Sequence, residues 1–199
     1  MDFLYVASNI KKALKNGGKF VDQESSIHRT IILGDERSAM LPQIYALVVV
    51  WIRFHNLVVD ELSRLHPELS NEVKFYEARR FTIAVYQQIF YFDVLPLLVS
   101  SKALAKFKLA SRKSCYDPNI DPSVTVEFTS SSARFFHNFI QNDYAVKHKN
   151  GSTENILLRD LDDELLGYRE ITGVISGMLD RPWNTQDIAN EVRLFSNCS

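Results

Sequence analysis

In this 199-residue chain, the strongest candidates for chemistry are a histidine and an arginine in a phenylalanine-rich segment. His137 lies in the segment VTVEFTSSSARFFHNFI, and Arg134 precedes it by three residues. We predict a helix over 124–140, in which residues three apart lie on the same face. A histidine on an apolar helical face is commonly a hydrogen-bonded core residue. The alternative is a ligand of haem iron, because neutral imidazole binds iron, an aromatic wall suits a porphyrin and arginine pairs with a propionate.

Arg37 is a third candidate, since it lies in a polar loop that leads into the most apolar segment of the chain. That segment reads PQIYALVVVWIRFHNLVVDELSRLH, and its apolar residues recur at helical spacing. We predict a helix over 42–66 that is apolar all round at its middle and is therefore buried on every side. The polar residues on this helix are predicted to be structural groups that tie helices together: Arg53, His55 and Asn56.

Apolar spacing and turn residues divide the rest of the chain into further helices and loops. A long second helix is predicted over 71–92, with its C-terminal half the more deeply buried half. The other predicted helices are shorter and cover residues 5–15, 101–110, 170–179 and 185–195. Residues 143–155 are predicted to form a polar loop. The expected fold class is therefore mostly α, and the length favours a single domain over 1–199.

Composition and motif content argue against several classes of function. The net charge of −1 gives no electrostatic reason to expect a nucleic-acid partner. The sequence contains no glycine-rich phosphate loop, zinc-binding motif or nucleophile elbow. No apolar run is expected to reach transmembrane length, and the opening MDFLYVASNIKK does not follow the pattern of a signal peptide.

Two further features bear on the cellular compartment. The cysteines, Cys115 and Cys198, form no C-x-x-C pair, and either one disulfide or two free thiols is compatible with them. Two N-x-S triplets begin at Asn150 and Asn197. Such triplets are acceptors for N-glycosylation, so they favour an extracellular or secretory location.

Several of these segments resemble the animal-type haem peroxidases in both order and spacing. The resemblance rests on GDERSAMLP at 34–42, WIRFHNLVVDELSRLHPEL at 51–69, FYEARRFTIAVYQQIFYFDVLPLL at 75–98 and FTSSSARFFHNFI at 128–140. It implies a mostly α, multi-helix haem-peroxidase-like domain, of which this chain represents the central part. It also implies an oxidoreductase that uses hydrogen peroxide as acceptor, with haem b as cofactor and a reducing substrate that the sequence does not identify.

The resemblance implies a role for each of the three candidate residues. Arg37 matches the distal catalytic arginine, which would hold the peroxide and stabilise charge as its O–O bond breaks. His137 matches the proximal ligand of the haem iron. Arg134 matches the arginine that contacts a haem propionate.

The chain departs from the family pattern close to the expected haem. Met40 stands where many members carry a glutamate that esterifies the haem, so the haem is expected to be non-covalent or incompletely linked. Phe136 replaces the usual glycine before the proximal histidine. Among the calcium ligands only Asp2 is in register, with Leu4 where a serine is expected, and the Asp-His-Asp motif of the distal histidine is absent from this chain. The alternative function is therefore a non-catalytic peroxidase-like module, structural or interaction-bearing.

Overall fold

The structure, a computed structural model, describes residues 10–20, 41–109, 117–141, 143–157 and 171–180. Its helices are α1 (residues 10–15), α2 (Pro42–Leu65), α3 (Asn71–Ile89), α4 (Leu95–Leu98), α5 (Ser101–Phe107), α6 (Val126–Ser130) and α7 (Ile171–Asp180). A π-helical turn, Phe90–Val94, connects α3 to α4, and a 3₁₀-helix, Ser132–Phe139, follows α6. Two antiparallel strands, β1 (Asp143–Lys147) and β2 (Thr153–Leu157), form a hairpin. The predicted mostly α fold is confirmed.

The described residues belong to two compact units. The first unit contains residues 41–50, 123–141, 143–157 and 171–180. The second unit contains residues 10–20, 51–109 and 117–122. Helix α2 contributes to both units, because the boundary lies between Val50 and Trp51. A single domain over the whole chain stays a prediction.

In the first unit, the hairpin packs against α7 around a small apolar cluster. Its buried members are Leu41, Tyr144 and Val146, and its partly buried members are Ile140, Ile156 and Val174. Helix α7 approaches β1 so closely that a Cβ built on Gly177 would overlap the carbonyl group of Ala145. Only a residue without a side chain permits this contact. Gly177 therefore determines how near the helix comes to the strand.

The prediction of a polar loop over 143–155 was wrong, because most of these residues form the hairpin. The strands pair in register from Asp143 with Leu157 to Lys147 with Thr153. The turn between them contains Asn150-Gly151, and Gly151 has a φ of 85°. Asn-Gly is favoured in hairpin turns, because both residues tolerate positive φ values. That dipeptide, rather than the polar composition, was the informative feature of the segment.

In the second unit, α1, α2 and α3 pack around the buried side chains of Ala13, Val59, Phe75 and Ala78. Helix α1 is followed by a turn in which Gly17 and Gly18 both have positive φ values. A Cβ on Gly18 would lie 2.7 Å from the carbonyl oxygen of Asn71, so glycine is required there for close contact as well. Ser70 caps the N-terminus of α3, and its side chain accepts a hydrogen bond from the backbone N–H of Val73.

Aromatic contacts between α2 and α3 show that the two helices run antiparallel. The ring of Trp51 contacts that of Tyr86, with 5.3 Å between centroids, and Phe54 stacks on Phe81 at 6.3 Å. His55 contacts Phe75 at 5.1 Å. Along this contact, residue numbers decrease on α3 as they increase on α2, which is the antiparallel arrangement. The short turn that connects α2 to α3 is typical of neighbouring antiparallel helices.

Both long helices are less buried than the sequence suggested. In α2, Val49 is fully buried but its neighbour Val50 is 41% exposed, so the helix is not covered on every side. In α3, the buried residues lie in the N-terminal half, whereas Phe81 and Tyr86 are 55% and 54% exposed. The prediction that the C-terminal half lies deeper was therefore wrong. Periodicity identifies an apolar face but not the element that covers it.

Two helical stretches, Pro42–Leu65 and Asn71–Leu98, are long and apolar enough to cross a membrane. This differs from the expectation that no segment reaches such a length. The second stretch gains its length because the π-helical turn joins α3 to α4 without a break. Core helices of water-soluble domains meet the same criterion, so length and composition alone assign no membrane.

Substitution of Gly177 by alanine is expected to destabilise the first unit. The new methyl group would overlap the carbonyl oxygen of Ala145, so α7 must move away from β1. Overpacking of this kind typically costs about 1–3 kcal/mol. Urea denaturation followed by circular dichroism would measure the change in unfolding free energy.

Thr172→Ala provides the matched control, because Thr172 is an exposed residue of the same helix. Exposed substitutions of this type usually change stability by less than about 0.5 kcal/mol. Equal unfolding midpoints for the two variants would show that α7 does not depend on the close contact at Gly177.

Candidate functional site

The segment that carries His137 is not one continuous α-helix, as 124–140 was predicted to be. It breaks at Ser131, whose φ and ψ are −125° and −72°. Just before the break, the hydroxyls of Thr129 and Ser130 both donate to the carbonyl oxygen of Val126, at 3.0 and 2.6 Å. Serine and threonine side chains compete in this way with the backbone bonds of a helix. The run Thr-Ser-Ser-Ser in the sequence therefore explains the break.

Arg134 and His137 both lie on the 3₁₀-helix that follows. A 3₁₀-helix has about three residues per turn, so residues three apart are aligned along one face. Arg134 is exposed, and His137 is half-buried. The pair thus shares a helical face, although in a 3₁₀-helix rather than in the predicted α-helix.

Hydrogen bonds to the preceding turn hold Arg134 in position. Its backbone N–H donates to the carbonyl oxygen of Ser131 at 2.9 Å. Its Nε donates to the carbonyl oxygen of Thr129, also at 2.9 Å. A guanidinium group has five N–H donors. The Nε–H donor orients the Arg134 side chain, and the other four N–H donors belong to the two terminal nitrogens.

Several predicted site residues lie outside the part of the chain that the structure describes: Asp2, Leu4, Arg37, Met40, Cys115, Cys198 and Asn197. The same holds for the side chains of Phe135, Phe136 and Phe139. Of the three candidate residues, the structure therefore brings together Arg134 and His137 and does not describe Arg37.

The donor groups of the described pair fit a haem in chemical type. Imidazole is a common axial ligand of haem iron, and arginine is the residue best suited to a carboxylate such as a propionate. Within the described residues, no group of three or more His, Cys, Asp and Glu side chains could hold a metal ion. A haem, whose macrocycle supplies four nitrogen ligands, needs only an axial residue such as His137 from the protein.

The polar residues predicted to be structural in α2 lie in the second unit. The side chain of Asn56 donates to the carbonyl oxygen of Phe20 at 2.9 Å and accepts from the backbone N–H of Phe20 at 2.8 Å. The ring of His55 is 3% exposed, and its Nε2 lies 3.2 Å from the carbonyl oxygen of Phe75. For His55 and Asn56 the structural prediction is confirmed. Arg53 is exposed.

Burial lowers the pKa of His55 from its ordinary value of 6.5, because a charged imidazolium is poorly solvated in this interior. Hydrogen bonds to the carbonyl oxygen of Phe75 and to Asn56 act in the opposite direction and are smaller effects. Nε2 lies 3.2 Å from the carbonyl oxygen of Phe75 and Nδ1 lies 3.4 Å from Oδ1 of Asn56. Both oxygens can only accept, so the neutral ring donates to one of them, and the shorter distance favours Nε2 as the donor. His55 is therefore a neutral structural histidine at pH 7.

Comparison with known proteins identifies a family and a fold. Residues 6–195 match the family model of the animal haem peroxidase. Peroxidase A from Dictyostelium discoideum has a similar structure, with a TM-score of 0.69 and 21% sequence identity over 86% of this chain and 37% of that chain.

Relatives with higher identity match a shorter part of the chain. A peroxidase from Drosophila melanogaster is 37% identical over 114 residues, which are 54% of this chain and 16% of the relative. Dual oxidase 2 from Homo sapiens is 36% identical over 54% of this chain and 6% of the relative. Myeloperoxidase from Mus musculus is 33% identical over 55% of this chain and 15% of the relative. The chain therefore spans less than a fifth of the length of these three proteins.

The lowered pKa of His55 predicts that stability decreases as the pH falls below neutrality. The unfolded chain binds a proton at pH values near 6.5, whereas the native state binds it only at lower pH. Unfolding free energy should therefore fall as pH decreases through this range, by at most about 1.4 kcal/mol per pH unit for one proton. Urea denaturation over a series of pH values would measure the slope.

In the variant His55→Gln, the unfolding free energy should depend less on pH between neutral pH and the pKa of His55 in the native state. His66→Gln is the control, because His66 lies on the surface beside Glu68 and is not held in the interior. An unchanged slope in His55→Gln would refute the assignment of this pH dependence to His55.

Proposed function

We propose that this protein is a haem-dependent oxidoreductase that reduces hydrogen peroxide, because the chain belongs to the animal haem peroxidase family. Family membership supports a peroxidase-type function and implies haem as the cofactor. The observation that carries the residue assignment is the placement of His137 and Arg134 on one face of the same short helix. When bound, the haem would supply the redox-active iron at which peroxide is reduced.

In this proposal His137 would hold the haem through its iron. Its side chain is half-buried, which suits a ligand that must exclude water from one side of a cofactor. Arg134 would bind a propionate through its terminal nitrogens, because its Nε already donates to the carbonyl oxygen of Thr129. A guanidinium anchored in this way loses less conformational entropy when it binds a carboxylate. Met40, at the position of the ester-forming glutamate, leaves the haem b without that covalent link.

Arg37 is proposed to act on the peroxide. A guanidinium stays protonated at all physiological pH values, so it can stabilise negative charge on a peroxide oxygen but cannot accept a proton. Proton transfer therefore requires a separate base. His28 is the single histidine on the N-terminal side of Arg37 in this sequence.

The second candidate function is a peroxidase-like module without haem chemistry. Two substitutions favour it: Met40 removes a haem linkage, and Phe136 places a bulky residue next to the proposed iron ligand. Both functions are compatible with an extracellular or secretory location, which the triplets at Asn150 and Asn197 support. Hydrogen peroxide and a reducing substrate of unknown identity are the proposed partners of the catalytic form.

Haem titration of the purified chain distinguishes the two functions. Binding through His137 should produce a Soret band, and His137→Ala should abolish or strongly shift that band because the axial ligand is lost. Added imidazole should restore the band in the variant, since it replaces the missing ring.

The control for this titration is His66→Ala, which removes an exposed histidine paired with Glu68 and should leave the spectrum unchanged. Circular dichroism would establish that each variant is folded. A folded protein that takes up no haem would exclude the catalytic proposal and support the module. A normal Soret band in His137→Ala would instead refute the assignment of the ligand.

Loss of the Arg134 guanidinium should weaken haem binding without changing the axial ligand. A hydrogen-bonded contact with a charged group contributes about 1.5 kcal/mol or more, so Arg134→Gln should raise the Kd for haem by roughly tenfold. Arg134→Lys should recover part of the affinity because the charge remains. Equal haem affinity for the wild type and Arg134→Gln would remove Arg134 from the proposed site.

A further inference from the structure

The turn of the β-hairpin presents one of the two N-x-S triplets at the surface. The triplet is Asn150-Gly151-Ser152, and all three residues are exposed. It lies beyond the last pair of the ladder, Lys147 with Thr153. The turn is closed by two backbone hydrogen bonds, from His148 to the carbonyl oxygen of Ser152 at 2.8 Å and from Gly151 to that of His148 at 2.9 Å.

The side chains of the triplet are already joined to each other. Oδ1 of Asn150 accepts hydrogen bonds from the backbone N–H of Ser152 at 2.9 Å and from its hydroxyl at 2.7 Å. Both bonds use the oxygen of the amide and leave the nitrogen out of the contact. A substituent on Nδ2 would therefore preserve the two bonds that shape this turn.

The tip of the turn is open to solvent at Asn150, Gly151 and Ser152. A Cβ built on Gly151 meets no atom within 4 Å, and Gly151 has a φ of 85° that glycine adopts without strain. The apolar cluster of the unit involves Tyr144 and Val146, which precede the turn on β1. A group attached at Asn150 would thus extend into solvent without displacing the core.

We propose that Asn150 is an N-glycosylation site of this protein. In the reaction, Nδ2 of Asn150 forms a bond to the anomeric carbon of an oligosaccharide carried on a polyprenyl diphosphate. The bond from that carbon to the diphosphate breaks, the polyprenyl diphosphate leaves, and the amide proton passes to a base of the transferase. The inference rests on the proposed secretory location, since the donor and the transferase are available only along that route.

The expected consequence is protection of the hairpin edges. Within the described residues neither strand has a second neighbour in the sheet, and unpaired edge groups are sites for unwanted pairing with other chains. Strand β2 is exposed at four of its five positions. A hydrated glycan at the adjacent turn would hinder the approach of a second strand.

The proposal is tested on the protein isolated from its natural source and on the full chain secreted from cultured animal cells. Treatment with peptide N-glycosidase in heavy-oxygen water converts a glycosylated asparagine to labelled aspartate, which mass spectrometry of the Asn150 peptide detects. Peptides from the cell lysate and from the medium are both analysed, so the modification is detected even if the protein is retained inside the cell. We expect the label at Asn150 in both preparations, and its loss in Asn150→Gln and Ser152→Ala.

Two further variants make the result specific. Ser152→Thr keeps the hydroxyl and should remain labelled, which excludes misfolding as the cause of loss in Ser152→Ala. Asn155→Gln is the matched control, because Asn155 is an exposed asparagine of the same hairpin without a hydroxyl residue two positions later. No label at Asn150 in the natural protein, or in both wild type and Ser152→Thr from cultured cells, would overturn the proposal. The label at Asn150 is measured without haem. A negative result therefore concerns glycosylation alone and leaves the proposed peroxidase function to the haem titration.

Discussion

The packing of α1, α2 and α3 depends on the hydrogen bonds between the Asn56 amide and the backbone of Phe20. A carboxamide carries a donor and an acceptor in one plane, so a single side chain satisfies both the N–H and the carbonyl oxygen of Phe20. Each such group left unpaired in the interior would cost about 1–3 kcal/mol. With the backbone held in this way, the Phe20 ring contacts His55 at 4.8 Å and Phe75 at 5.3 Å. One polar residue thereby allows the apolar contacts around it to form.

The break at Ser131 has a comparable effect on the candidate site. In an α-helix, with 3.6 residues per turn, side chains three positions apart are offset around the axis. In the 3₁₀-helix they are aligned, so the break brings Arg134 and His137 into closer register along one face. The hydroxyls of Thr129 and Ser130 favour this change because they bond to the backbone of the previous turn. Local polar chemistry thus determines the geometry of a pair whose proposed role is to bind a cofactor.

Particular residues show where sequence reasoning succeeded and where it did not. The structural role of His55 and Asn56 was predictable, because polar groups on a largely apolar helix must find partners. The helical segments around α2, α3 and α7 were also predictable from apolar spacing. The hairpin was missed because the polar residues of 143–155 outweighed the Asn-Gly signal at its turn. The exposure of Phe81 and Tyr86 was missed because spacing alone does not show whether another element covers a face.

The sequence by itself determined the family and the mostly α class, since these depend on residue types and on their order along the chain, and it is also the source of the proposed haem-binding residues. The tertiary structure alone decided which side of α2 is buried, how closely α7 approaches β1 at Gly177, and that Phe20, His55 and Phe75 meet. The physical reason is the same in each case. Burial and close packing are set by contacts between residues far apart in sequence, and one segment read alone carries no information about its partners.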